Sequence, residues 1–269
     1  ARRKLMQVKR QQDRELFLKS PGRLIQNIKD RRAMKKLGLE QKDLNQNLTP
    51  ELKDKMYRER LTQKKNSYKM LQNIGLERRE VVANLLKNRK DLLVVSGLGS
   101  ATYDCAAVDD HPNNFYLWGA MGGTASLAFG LALAQPRRPI LALTGDGDML
   151  MGLGALATIG TQGPKNLTII ILDNEEYGET GSQPSATALG TSLSDVARAT
   201  STNIVEDITN MNEVNNISKL MHEKAGPLFV NIKIASGNPK KVLPSRDGYY
   251  LSNRFRESVL SYAKNKQGR

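Results

Sequence analysis

The sequence predicts an α/β fold, a doubly wound and mostly parallel sheet, with a basic helical extension at its N-terminal end. Three observations lead there. Continuous apolar runs recur at ILALT (140–144), LTIIIL (167–172) and LFVNIKI (228–234), as expected for strands buried on both faces. Helix-compatible stretches alternate with these runs. Charge is segregated as well: residues 1–72 carry +13 of the +14 net charge, which leaves the other 197 residues almost neutral.

In chain order, residues 77–88 read as a helix with Val81, Val82, Leu85 and Leu86 on one face. LLVVS (92–96) is a short buried strand, ended by Gly97-Leu98-Gly99-Ser100, and FYLW (115–118) is a second, again ended by glycine. A helix of small residues over 122–134 stops at Pro136. The strand at 140–144 runs into Gly145-Asp146-Gly147-Asp148, and the strand at 167–172 ends at Asp173-Asn174. Helices around 150–160, 193–200 and 211–224 would cover the sheet. The expected organisation is a basic helical extension over 1–75, an α/β domain over 76–250 and a tail over 251–269.

In the extension, Thr49 and Pro50 form a cap and a first helical residue, followed by a narrow stripe of Leu52, Met56 and Tyr57. An earlier helix is expected over 23–37, with Leu24, Ile25, Ile28 and Met34. Neither stripe is wide enough for its own core, so the segment reads as a solvated arm docked on the body or on a partner. Its clustered Lys and Arg would suit an anionic surface, but no aromatic stacking platform accompanies them, and nucleic acid is not the expected partner. The single cysteine, Cys105, excludes an internal disulfide framework and suits a reducing, cytoplasmic compartment. No run of about eighteen apolar residues occurs, so no membrane span is expected. The first residues lack the apolar core of a secretory signal.

Ligands of such sheets bind at the carboxyl ends of the strands. Three of those ends are rich in glycine, and the polar turns at 145–148 and 173–174 fall at successive ones. Asp146 offers a carboxylate, Asn174 an amide oxygen, and the backbone beyond Asn174 further carbonyls. A hard divalent cation takes oxygen ligands, and magnesium keeps substrate phosphate oxygens in its shell. Gly145 and Gly147 let backbone N–H groups approach a phosphate, at the positive end of the helix that follows. The residues alone therefore point to a magnesium-bridged diphosphate.

The spacing of the GDG turn from Asn174 resembles the thiamine diphosphate (TPP) binding motif. The stretches WGAMGGTASLAFGLALAQPRRPILALTGDGDMLMGLGALATIG and LDNEEYGETGSQPS are similar to the cofactor-binding region of the phosphonopyruvate and sulfopyruvate decarboxylases. The resemblance covers roughly 77–250 and implies specific roles. Asp146, Asn174 and the main-chain carbonyl of Glu176 would be magnesium ligands. Gly147 and Asp148 would donate backbone N–H groups to the diphosphate, with Gly145, Tyr177 and Gly178 completing the cofactor site. Met121 would wedge the cofactor into its bent shape, and the Gly119 carbonyl would accept from the aminopyrimidine amino group.

Three departures accompany the resemblance. Asp173 stands where the family usually has Asn, so an extra carboxylate either joins the metal or turns away. Gly123 stands where the phosphonopyruvate-type enzymes often carry His. His111, in the DDHPNN loop, reads as a solvated loop residue and His222 as structural. Arg246, Arg254 and Arg256 could meet an anionic substrate, but a surface or subunit contact is the plainer expectation. The third departure is an absence: the family pairs this domain with a second α/β domain that supplies a catalytic glutamate, and residues 1–72 are too short and too charged to be it. The catalytic base is therefore expected from a partner subunit carrying the pyrimidine-binding domain, in a hetero-oligomer. The implied function is the cofactor-diphosphate-binding subunit of a TPP- and magnesium-dependent decarboxylase of small anionic 2-oxo acids. The alternatives are a TPP-dependent carboligase or oxidoreductase subunit, or a non-catalytic binding module using the basic arm.

Overall fold

A computed structural model describes residues 75–267 except 205, 206, 224 and 238. The expected extension over 1–75, with its two helices, therefore lies outside the described residues apart from Gly75. The body begins with α1 (Arg78–Leu86), β1 (Leu93–Ser96), α2 (Ser100–Val108), β2 (Asn114–Tyr116) and α3 (Thr124–Ala134). The central crossover is β3 (Ile140–Gly145), α4 (Asp146–Met151), α5 (Ala155–Gln162) and β4 (Leu167–Asp173). A small hairpin of β5 (Glu176–Tyr177) and β6 (Gln183–Pro184) follows, then α6 (Leu193–Ala199), β7 (Asn203–Ile204), α7 (Met211–Leu220), β8 (Leu228–Lys233) and α8 (Gly248–Gln267).

Six strands form one sheet in the order β2-β1-β3-β4-β8-β7, and every neighbouring pair is parallel. The apolar runs are continuous because alternate side chains of each strand enter different cores. Val94, Leu141, Leu143 and Val230 pack with α1, α2 and α7 on one face. Leu93, Val95, Ile140, Ala142, Ile169 and Phe229 pack with α3, α5 and α6 on the other. The chain moves outward from β1 to β2, then returns past β1 to β3 and continues to β4. The strand order therefore reverses between β1 and β3, which opens a crevice at their carboxyl ends.

The expected strands and the helices at 77–88, 122–134, 193–200 and 211–224 are present, with ends shifted by a few residues. The helix expected over 150–160 is two helices, because Gly152 and Gly154 interrupt it. Ser100–Val108 is helical where only a glycine loop was expected: Gly99, with φ 77°, turns the chain without a side-chain cap. The supposed tail is also different. Residues 248–267 form a 20-residue helix whose Leu251 and Phe255, one turn apart, are buried. Phe255 meets Phe115 of β2 with ring centroids 5.4 Å apart, and Tyr262 donates to Asp91 at 2.7 Å. The numerous charges of this stretch masked an apolar pair that covers an edge strand.

Candidate functional site

The crevice at the switch point is a cleft of about 150 Å³ lined by the turn after β1, the start of α4 and the segment after β4. Met121, Gly145, Asp146, Gly147, Asp148, Asn174, Glu176, Tyr177 and Gly178 all lie on its wall. Gly119 does not line it. Two turns some thirty residues apart in sequence thus meet because β3 and β4 pair directly, Gly145 opposite Leu172.

Asp146 is the first residue of α4 and is 1% exposed. Burial and then the charge of nearby Asp173 push its carboxyl up to about 6. Thr187 sits between the two acids, donating to Asp173 Oδ1 at 2.9 Å and lying 3.3 Å from Asp146 Oδ2. Asp173 itself is fully engaged by Lys233 Nζ at 2.5 Å, Asn231 Nδ2 at 3.1 Å and the Glu175 N–H at 3.1 Å. The extra carboxylate of the sequence is therefore turned away from the cleft and neutralised by Lys233. Burial would lower the pKa of that lysine, but Asp173 and Glu175 outweigh burial and raise it.

Asn174 Oδ1 accepts the Glu176 N–H at 3.2 Å, which closes a tight turn around Glu175, whose φ is 63°. Asn174 and Glu176 of this turn line the cleft. The Glu176 carboxylate points elsewhere and accepts from Ser236 at 3.1 Å. Gly147 is packed so closely that a Cβ there would stand 2.7 Å from the Tyr177 ring. Any side chain would displace that ring and fill the cradle at the helix N-terminus.

Asp148 uses its side chain in a way the sequence did not reveal. Its Oδ1 accepts the Gly122 N–H at 2.5 Å, and its Oδ2 accepts from Thr144 Oγ1. Gly122 has φ 84°, a conformation that favours glycine, and the turn it belongs to carries Met121, 39% exposed, to the cleft. Sequence reasoning also missed Arg78, Ala101 and Thr180 on the wall, and gave no role to Leu98 and Ser100 of the glycine-rich end of β1. Ser100 and Ala101 open a helix that had not been expected. Arg78 belongs to the buried face of α1, and its place at the end of the 81-82-85 stripe was the available signal.

The histidines stand away from this chemistry. His111 precedes β2, at the end of the sheet opposite the cleft, and its Nδ1 accepts the Asn113 N–H at 3.0 Å. Burial, then Arg89, lowers its pKa. Burial and then Lys90 lower that of His222. Arg254 binds Asp110 at 2.9 Å, and none of Arg246, Arg254 and Arg256 lines the cleft.

The donor set of the cleft fits a hard cation bound with a diphosphate. It has the buried carboxylate of Asp146, the amide oxygen of Asn174 and the turn that follows, beside a glycine at a helix N-terminus. Residues 97–232 match the family described as thiamine pyrophosphate enzyme, C-terminal TPP binding domain. The chain is 34% identical over 170 residues to sulfopyruvate decarboxylase subunit beta of Methanothermobacter thermautotrophicus, covering 63% of this chain and 88% of that protein. It is 33% identical over 177 residues to phosphonopyruvate decarboxylase of Streptomyces viridochromogenes, covering 64% of this chain but only 43% of that longer enzyme. Benzoylformate decarboxylase of Polynucleobacter necessarius shares the fold, with a TM-score of 0.54 at 20% identity over 62% of this chain and 34% of that one.

Proposed function

Because the chain belongs to the thiamine pyrophosphate enzymes through their C-terminal TPP-binding domain, and is a TPP-dependent decarboxylase, we propose that it is the cofactor-diphosphate-binding subunit of a magnesium-dependent 2-oxo acid decarboxylase, active only with a partner that carries the pyrimidine-binding domain. One observation carries this reading: a chain that spans 88% of a protein named as a subunit beta gathers Asp146, Asn174 and Glu176 in a single cleft. The curated enzyme that it spans by only 43% is the longer phosphonopyruvate decarboxylase.

Bound TPP supplies an electron sink for loss of carbon dioxide from a 2-oxo acid. The residues of this chain bind and orient it. Asp146, Asn174 Oδ1 and the Glu176 carbonyl would hold magnesium against the diphosphate, and Gly147 leaves room for backbone N–H groups to reach the phosphates. Thr187 and Lys233 restrain Asp173, so that Asp146 is the carboxylate left for the metal. Met121 would support the ring half, and the Asp148 carboxylate ties the turn that carries it to the start of α4. The small anionic 2-oxo acid and the base from the partner subunit would complete the site.

The test is an assay of the purified chain for aldehyde release from pyruvate, phosphonopyruvate and sulfopyruvate, with TPP and magnesium. The lone chain should be silent, and activity should appear with the partner subunit. Robust turnover by the lone chain would refute the half-site reading, and a ligated hydroxyketone as product would move the reaction to a carboligase.

A further inference from the structure

We propose that Arg78 is an anion-binding residue of this cleft, supplying its guanidinium to the phosphate groups of the cofactor; the inference rests on the cofactor reading above. Arg78 opens α1, and helical spacing decides where its side chain goes. Residues 78, 81, 82 and 85 share one face, and Val81, Val82 and Leu85 are all buried in the core. The arginine therefore enters the protein at the end of an apolar stripe instead of extending into water, and it is only 5% exposed.

Its guanidinium is only partly engaged by the described residues. Nε donates to Asp104 Oδ2, and among the described residues the two terminal amino groups have no partner. Arg78 forms part of the cleft wall together with Ser100, Ala101 and Gly147. Asp104 does not neutralise it alone, because Arg79 Nε also donates to that carboxylate at 3.1 Å. One carboxylate between two guanidinium groups leaves a positive charge over.

Of the other acids of the wall, Asp146 is the carboxylate left for the metal, and the remaining three are engaged elsewhere. Asp148 is bonded to Gly122 and Thr144, Glu179 pairs with Lys241 at 2.9 Å, and the Glu176 carboxylate accepts from Ser236. A buried cation that shares its one counter-charge with a second guanidinium is costly, so its retention on a cleft wall calls for an anion in the cleft. A planar fork of N–H donors matches the spacing of phosphate oxygens. The family match begins at residue 97, so Arg78 lies outside the matched residues.

Calorimetric titration of the full chain with inorganic diphosphate and magnesium tests the assignment. Arg78→Gln should weaken binding about tenfold or more, the range of a lost charge-assisted bond. Arg78→Lys keeps the ion pair with Asp104 but loses the fork, and should weaken binding by about threefold or more. Arg79→Gln shares the Asp104 contact without lining the cleft and should stay within about twofold of wild type. If Arg79→Gln lost as much as Arg78→Gln, the effect would be structural and the proposal overturned. Wild-type affinity in Arg78→Lys, or in folded Arg78→Gln, overturns it equally. A wild-type chain that binds no diphosphate would remove the cofactor reading itself, a result distinguishable from failure of the arginine alone.

Discussion

The Asp148 carboxylate accepts the backbone N–H of Gly122 at 2.5 Å, which ties the start of α4 to the turn that carries Met121. The same carboxylate takes the hydroxyl of Thr144 at the end of β3. Asp148→Ala would strand two donors, one of them a wholly buried hydroxyl. The expected loss of stability is about 1–3 kcal/mol, read from denaturant unfolding. TPP affinity should fall further than affinity for inorganic diphosphate, because the disturbed turn carries the residue expected beneath the ring half. Equal losses for the two ligands would contradict a role in positioning Met121.

Asp146→Asn separates binding from folding. In the metal-free chain Asp146 is buried beside a second carboxylate, so its removal relieves repulsion. Unfolding of the metal-free protein at neutral pH should show no loss of stability. Magnesium-dependent binding of TPP should be abolished in the same preparation. Retained wild-type affinity would remove Asp146 from the metal site.

Met121→Ala should act on the ring half alone. The side chain is partly exposed on the cleft wall, so its truncation should change stability by less than about 1 kcal/mol. TPP affinity should drop while inorganic diphosphate binds as before. A stability loss typical of a core residue would assign Met121 to packing instead.

Lys233→Met leaves Asp173 buried without its counter-ion. The loss should be about 3 kcal/mol, typical of breaking a buried pair by removing one partner. Adding Asp173→Asn should recover much of it, because the neutral amide needs no cation. No recovery in the double variant would show that the lysine acts through Glu175, its second partner at 3.0 Å.

Deletion of residues 1–72 should leave a protein that unfolds cooperatively, since the described residues beyond it hold a six-stranded sheet with helices packed on both faces. Circular dichroism melting of the truncated chain checks this. A truncated chain without a cooperative transition would make the extension part of the core.

Much of the cofactor fold was legible because its signals are local. Runs such as LTIIIL need only their own residues to declare a strand buried on both faces, and the glycines of the GDG turn mark a strand end by themselves. The helix at Ser100–Val108 and the helix at Gly248–Gln267 were not legible, since the first has no side-chain cap and the second hides Leu251 and Phe255 among charges. Sequence could name Asp146 and Asn174 as oxygen donors, but only the parallel pairing of β3 with β4 set their turns side by side. Direction was the other thing left to tertiary structure. Whether Asp148 faces the ligand or the Gly122 turn, whether Asp173 meets a metal or Lys233, and whether Arg78 reaches water or the cleft each depend on what lies across the fold. A side chain's type fixes the bonds it can make, and the partners that select among them come from distant parts of the chain.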